Sequence, residues 1–85
     1  MRIPGITTLN KLVLQELVQY LVEDTTEVIL NAAVKRRLAA ACNISARELV
    51  KELKLLTRMR VLYRVDTDIY ELNSELFVDE DDYEA

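Results

Sequence analysis

The sequence predicts a mainly α-helical fold that ends in a small β-hairpin. Apolar residues recur every three or four positions through most of residues 8–58, as they do on one face of a helix. After about residue 60 they alternate with polar residues, as in a strand. Eighty-five residues make one small domain. We expect this domain to span residues 1–78 and a disordered acidic tail to occupy residues 79–85.

The first helix is predicted from about Leu9 to Val22, with Thr8 as its N-cap. Its apolar face covers roughly half of the helix circumference. One explanation is a central core helix, and the other is that the extra flank contacts a second subunit. Because a small domain buries only a modest core, we expect a homodimer. Its interface would contain Leu14, Val18 and Val22.

A short strand at Glu27–Leu30 and a second helix, "AAVKRRLAAAC", are predicted next, with Asn31 as the helix cap. Cys42 falls on the apolar stripe of this helix, which favours a buried side chain over a reactive thiol. The other flanks carry the cations Lys35, Arg36 and Arg37.

The third helix is predicted to span residues 46–58. Ser45 and Glu48 form a capping box that starts it. Four cations recur on the side opposite the apolar face and lie within roughly 60° of one another on the helical wheel. We call this set the cationic ridge: Arg47, Lys51, Lys54 and Arg58.

The runs "RVLYRV" and "DIYELN", separated by Asp66-Thr67, predict a hairpin after the third helix. Two helices joined by a tight turn and followed by a hairpin form a winged helix-turn-helix. In that arrangement the third helix can enter the DNA major groove. Arg47 and Lys51 would then contact base edges. The remaining cations would contact phosphates: Lys54, Arg58, Lys35, Arg36 and Arg37.

Charge is segregated along the chain, although the net charge is only −4. Residues 32–64 hold nine basic residues against two acidic ones, whereas residues 65–85 hold nine acidic residues and no basic one. The distribution therefore carries more information than the total. The basic block is the part that would meet nucleic acid.

The segments "VILNAAVKRRLAAACNISARELVKELKLLTRMRVLYRV" and "DIYELNSELF" resemble the winged-helix part of RepL-type plasmid and phage replication proteins. The turn before the third helix, the first wing strand and the closing strand carry the resemblance. The matching residues are Ile44-Ser45, Val61-Leu62, Arg64-Val65, Tyr70, Leu72, Asn73 and Phe77. The resemblance implies a bacterial winged-helix DNA-binding protein.

Three positions depart from the pattern of that group. Arg60 stands where a glycine usually leaves the third helix, and it must accept a left-handed backbone or end the helix differently. Asp66-Thr67-Asp68 replaces the usual glycine and basic residues at the wing tip. These carboxylates would repel phosphate, so we do not expect the wing to hold DNA in the usual way. Ser74 replaces a common proline.

We therefore expect a cytoplasmic protein that binds double-stranded DNA in the control of replication or transcription of a mobile element. The alternative is a winged helix that binds proteins, in which the cationic ridge meets an acidic surface or the chain's own tail. Exposed helix faces are also often basic for solubility alone. No cofactor, metal or membrane is expected, since the chain has no His, one Cys and no long apolar run. Without a nucleophile beside an evident base, it is not expected to be an enzyme.

Overall fold

A computed structural model describes residues 5–77 of the chain. Three helices pack with a three-stranded antiparallel sheet whose strand order is β1-β3-β2. The elements, in chain order, are α1 (Thr8–Leu17), β1 (Glu27–Ile29), α2 (Ala32–Ala41), α3 (Ala46–Arg58), β2 (Leu62–Arg64) and β3 (Ile69–Leu72). Short 3₁₀ turns occupy Val18–Tyr20 and Ser74–Phe77. This architecture confirms the predicted α+β fold with a winged-helix arrangement, while the predicted acidic tail lies outside the described residues.

Side chains cap the start of all three helices. The Asn31 and Ser45 caps are confirmed, the latter with the full capping box to Glu48. The Thr8 cap is wrong by one residue, because the hydroxyl of Thr7 accepts the hydrogen bond from the backbone N–H of Asn10 at 3.0 Å. The first helix is also shorter than predicted: its regular turns end at Leu17, and a 3₁₀ turn follows.

A tight turn connects α2 to α3. Asn43 has a φ of 56°, in the left-handed region that asparagine tolerates better than most residues. The Ile44 N–H donates to the Ala39 carbonyl at 3.0 Å, and the Asn43 N–H donates to that of Ala40 at 3.1 Å. These are the two bonds of a Schellman motif, so the last carbonyls of α2 are satisfied within the turn.

The end of α3 uses the same motif with arginine in the left-handed position. Arg60 has a φ of 64°. The Val61 N–H donates to the Leu56 carbonyl at 2.9 Å, and the Arg60 N–H donates to that of Thr57 at 3.1 Å. The chain therefore accepts backbone strain at Arg60 instead of ending the helix differently.

One cluster of buried side chains joins all three helices and the sheet. Leu14 belongs to it and is only 1% exposed. The expectation that Leu14 lies in a dimer interface is therefore wrong, because the chain's own fold already covers this side chain. Val18 is half-buried and packs against the same cluster, whereas Val22 is 40% exposed. The homodimer itself stays a prediction.

The sheet has one buried and one open face. Val28, Leu62 and Leu72 point into the core, as alternation along each strand requires. On the other face, the neighbours Ile29 and Ile69 are paired across β1 and β3, and Ile29 is 47% exposed.

Replacing Arg60 with glycine should stabilise the fold. Glycine removes the left-handed strain, and part of this gain is offset by the greater freedom of the unfolded chain, which leaves about 0.5–1 kcal/mol. Urea unfolding of the wild type and Arg60→Gly measures the difference. Arg60→Ala is the control, because it removes the guanidinium but keeps the strain. An equal gain for both variants would show that charge, not backbone strain, is responsible.

Leu14→Ala should lower the free energy of unfolding by about 2–5 kcal/mol, as expected for truncation of a packed core leucine. Val22→Ala, on the exposed side, should stay within about 0.5 kcal/mol of the wild type. Denaturant unfolding at two protein concentrations measures both changes. If the loss for Leu14→Ala shrank or grew with protein concentration, the residue would be acting in an interface between subunits.

Candidate nucleic-acid interface

The cationic ridge lies on the outer side of α3. All four of its side chains are exposed, and Leu49, Leu53 and Leu56 on the opposite side are buried. The predicted two-sided character of this helix is therefore confirmed.

The two carboxylates of α3 are directed away from the ridge. Glu48 accepts a hydrogen bond from the Ser45 N–H at 3.1 Å and so caps the helix. Glu52 accepts a hydrogen bond from the Asn10 side-chain amide at 2.6 Å. Asn10 is fully buried, so this bond ties α1 to α3 from the inner side. Both acids of the basic block thus serve the fold and leave the ridge free of carboxylates.

A cleft of about 420 Å³ opens beside the ridge, between α3, α2 and the wing. We call it the cationic cleft. Four cations from three elements line it together with apolar and hydroxyl-bearing side chains, and no acidic residue does. The lining residues are Lys35, Val50, Leu53, Lys54, Thr57, Arg58, Arg64 and Tyr70.

Arg64 is a member of this site that the sequence analysis did not single out. Its guanidinium donates to the carbonyl of Thr67 at 2.9 Å and to that of Asp66 at 3.4 Å. These bonds hold the side chain in place while leaving part of its five N–H donors free. Alternation from the buried Leu62 could have indicated that Arg64 points to the helix side of the hairpin, since residues two apart share a face. Tyr70 is paired with Arg64 across β2 and β3, and the same alternation, applied to β3, would have placed it on this side of the hairpin.

The three cations of α2 do not lie together on one side of the helix. Lys35 is half-buried and lines the cleft. Arg36 and Arg37 are exposed and are not among the lining residues. Successive residues on a helix are 100° apart, so the three side chains necessarily point in different directions.

The wing is short and its tip is acidic. The Asp66 carboxylate accepts a hydrogen bond from the Thr67 N–H at 2.7 Å, which shapes the turn. The carbonyl of Asp68 accepts one from the Leu30 N–H at 2.7 Å, which ties the tip to the end of β1. The wing tip is therefore tied to the end of β1, and Arg64 is the cation that the described wing contributes to the cleft.

Cys42 is buried and has the character of a core residue. Burial raises the pKa of its thiol, and the nearby carboxylates of Glu16 and Glu52 raise it further. A thiol with a raised pKa is protonated at neutral pH and is a poor nucleophile.

Within residues 5–77, no three side chains of His, Cys, Asp or Glu are grouped closely enough to hold a metal ion. In the same part of the chain, no helix has the length and apolar character needed to cross a membrane.

Comparison of the chain with protein-family models, curated proteins and solved structures gave no significant match. The resemblance to RepL-type proteins thus stays a prediction that depends on the residues quoted above.

The raised pKa of Cys42 predicts a specific pH dependence of stability. The protonated thiol contributes stability below its unfolded pKa of about 8.5, and this contribution is lost as the pH rises through the higher folded value. The unfolding free energy of the wild type should therefore fall relative to Cys42→Ala above about pH 8.5. Urea unfolding across pH measures it, and the difference cancels all other titrating groups. Parallel profiles would contradict the shift.

Proposed function

We propose that the protein binds double-stranded DNA with α3 in the major groove, in the control of replication or transcription of a mobile element. The observation that carries this proposal is the continuous cationic surface formed by the ridge and the cleft. Every acidic side chain of α3 is directed elsewhere, and Leu49, Leu53 and Leu56 on its apolar side are buried in the core.

The positions of the cations along α3 support a division of roles among them. Arg47 and Lys51 lie in the first half of the helix, directly after the tight turn that follows α2. In helix-turn-helix proteins this end of the helix contacts base edges. Arginine and lysine suit guanine, which presents two acceptors in the major groove.

The cleft supplies the contacts to the DNA backbone in this proposal. Lys35, Lys54, Arg58 and Arg64 converge from α2, α3 and β2 on one side of the ridge. Such contacts fix the position of the helix without selecting a sequence. The wing would thus act through Arg64, and not through its acidic tip.

A second candidate function is binding of a protein through the open face of the sheet. Ile29, Tyr63 and Val65 are 47%, 45% and 54% exposed, which leaves several apolar side chains on one surface. Exposed apolar patches are common at protein interfaces. This function would use the face of the molecule that carries neither the ridge nor the cleft.

The double variant Arg47→Ala/Lys51→Ala tests the assignment to DNA. Both side chains are exposed, so the fold should be unaffected. If either contacts a base edge, affinity for a preferred site should fall by about 1–3 kcal/mol and discrimination between sequences should relax. Fluorescence anisotropy with preferred and random duplexes measures both quantities.

Lys11→Glu is the matched control, since it changes the net charge by the same two units on the exposed side of α1. It should have a much smaller effect. Affinity of the wild type should also fall steeply with salt, because bound phosphates release counterions. Wild-type affinity of the double variant, or an equal loss with Lys11→Glu, would overturn the assignment.

A further inference from the structure

The cationic cleft brings four positive charges together without an acidic lining residue. Like charges held close together repel one another, and a bound anion would relieve that repulsion. Its lining also contains the apolar or aromatic side chains of Val50, Leu53 and Tyr70. The surface therefore suits a partner that combines several carboxylates or phosphates with an apolar or aromatic group.

The chain itself contains such a partner directly after the described fold. Residues 78–85 read "VDEDDYEA", with five carboxylate side chains, one tyrosine and no cation. The carboxylates complement the four cations of the cleft. The aromatic ring of Tyr83 complements the apolar and aromatic lining residues.

The described part of the chain that leads to this segment passes beside the end of α3. β3 contributes Tyr70 to the cleft, and its end is joined to the end of α3 by a hydrogen bond from the Asn73 side-chain amide to the Arg60 carbonyl at 3.0 Å. Arg60 is two residues beyond Arg58, another lining residue. An extended chain advances about 3.3–3.6 Å per residue, so the eight residues after Phe77 can span roughly 26–29 Å.

We propose that the acidic segment 78–85 docks in the cationic cleft of its own chain. Its covalent connection gives it an effective concentration on the order of millimolar, so weak charge pairing is enough for substantial occupancy. The contact depends on charge and is weakened by salt. It does not depend on DNA binding. Where the proposed function also holds, the segment competes with phosphate for Lys54 and Arg58, and thereby lowers DNA affinity at low ionic strength.

A nitroxide spin label at Ala85→Cys, in the full chain with Cys42→Ala, tests the docking. The label broadens the amide NMR signals of residues near it. We expect loss of signal intensity at Val50, Lys54, Arg64 and Tyr70, with recovery in high salt. Broadening confined to the residues next to Phe77 would overturn the proposal.

Two charge-matched variants show whether the cleft is the docking site. Lys54→Ala/Arg64→Ala should restore the signals at Val50 and Tyr70. Arg36→Ala/Arg37→Ala removes the same charge outside the cleft and should leave the broadening unchanged. All four side chains lie at positions that are exposed, and a well-dispersed spectrum confirms that each variant is folded. An equal effect of both variants would show diffuse attraction and contradict a site.

A mixing experiment distinguishes docking of the chain's own segment from docking of a segment that belongs to another copy. Isotope-labelled chains that lack the spin label are mixed with spin-labelled chains that carry no isotope. No broadening is expected in the mixture. Broadening there at the cleft would mean that a second copy supplies the segment, which contradicts docking within one chain. None of these measurements contains DNA, so failure of the docking proposal is distinguishable from failure of the proposed function.

Discussion

The packing of α3 is the constraint on which the rest of the molecule depends. Leu49 and Leu56 are fully buried, so only one rotation of this helix about its axis is compatible with the core. Burying an unpaired charge costs far more than burying a leucine gains, so the four cations of the ridge must face outward. The Asn10–Glu52 hydrogen bond adds a polar contact from α1 that is compatible with the same rotation. The position of the ridge is thus a consequence of how the core is filled.

Tight turns at both ends of α3 then fix what lies beside it. Asn43 and Arg60 both adopt left-handed backbone conformations, which end α2 and α3 in tight turns. The first turn sets α2, and with it Lys35, against one side of α3. The second turn places β2 directly after α3, and the hydrogen bond between Leu30 and Asp68 joins the wing tip to the end of β1. Arg64 reaches the cleft because the wing is short and held in place.

Local chemistry made much of this predictable from the sequence. Capping residues and apolar periodicity identified α2, α3 and the exposed ridge, because these signals act within a few residues. Thr7 and Thr8 are chemically equivalent caps, so the pattern alone could not choose between them. Periodicity identifies the apolar face of α1, but it does not show how many elements of the same chain cover that face, and the prediction for Leu14 is therefore wrong. The cleft was missed because it needs α2, α3 and β2 together, and no local pattern specifies their distances.

In the proposed function, one face of the molecule, formed by the ridge and the cleft, receives DNA. An NMR titration of the isotope-labelled protein with a short duplex at low salt tests it most directly. The account predicts that the largest amide shifts occur along α3 from Arg47 to Arg58 and at Lys35 and Arg64. The open face of the sheet, at Ile29 and Val65, should change little. Shifts concentrated on that open face, or no shifts at all under these conditions, would contradict the claim.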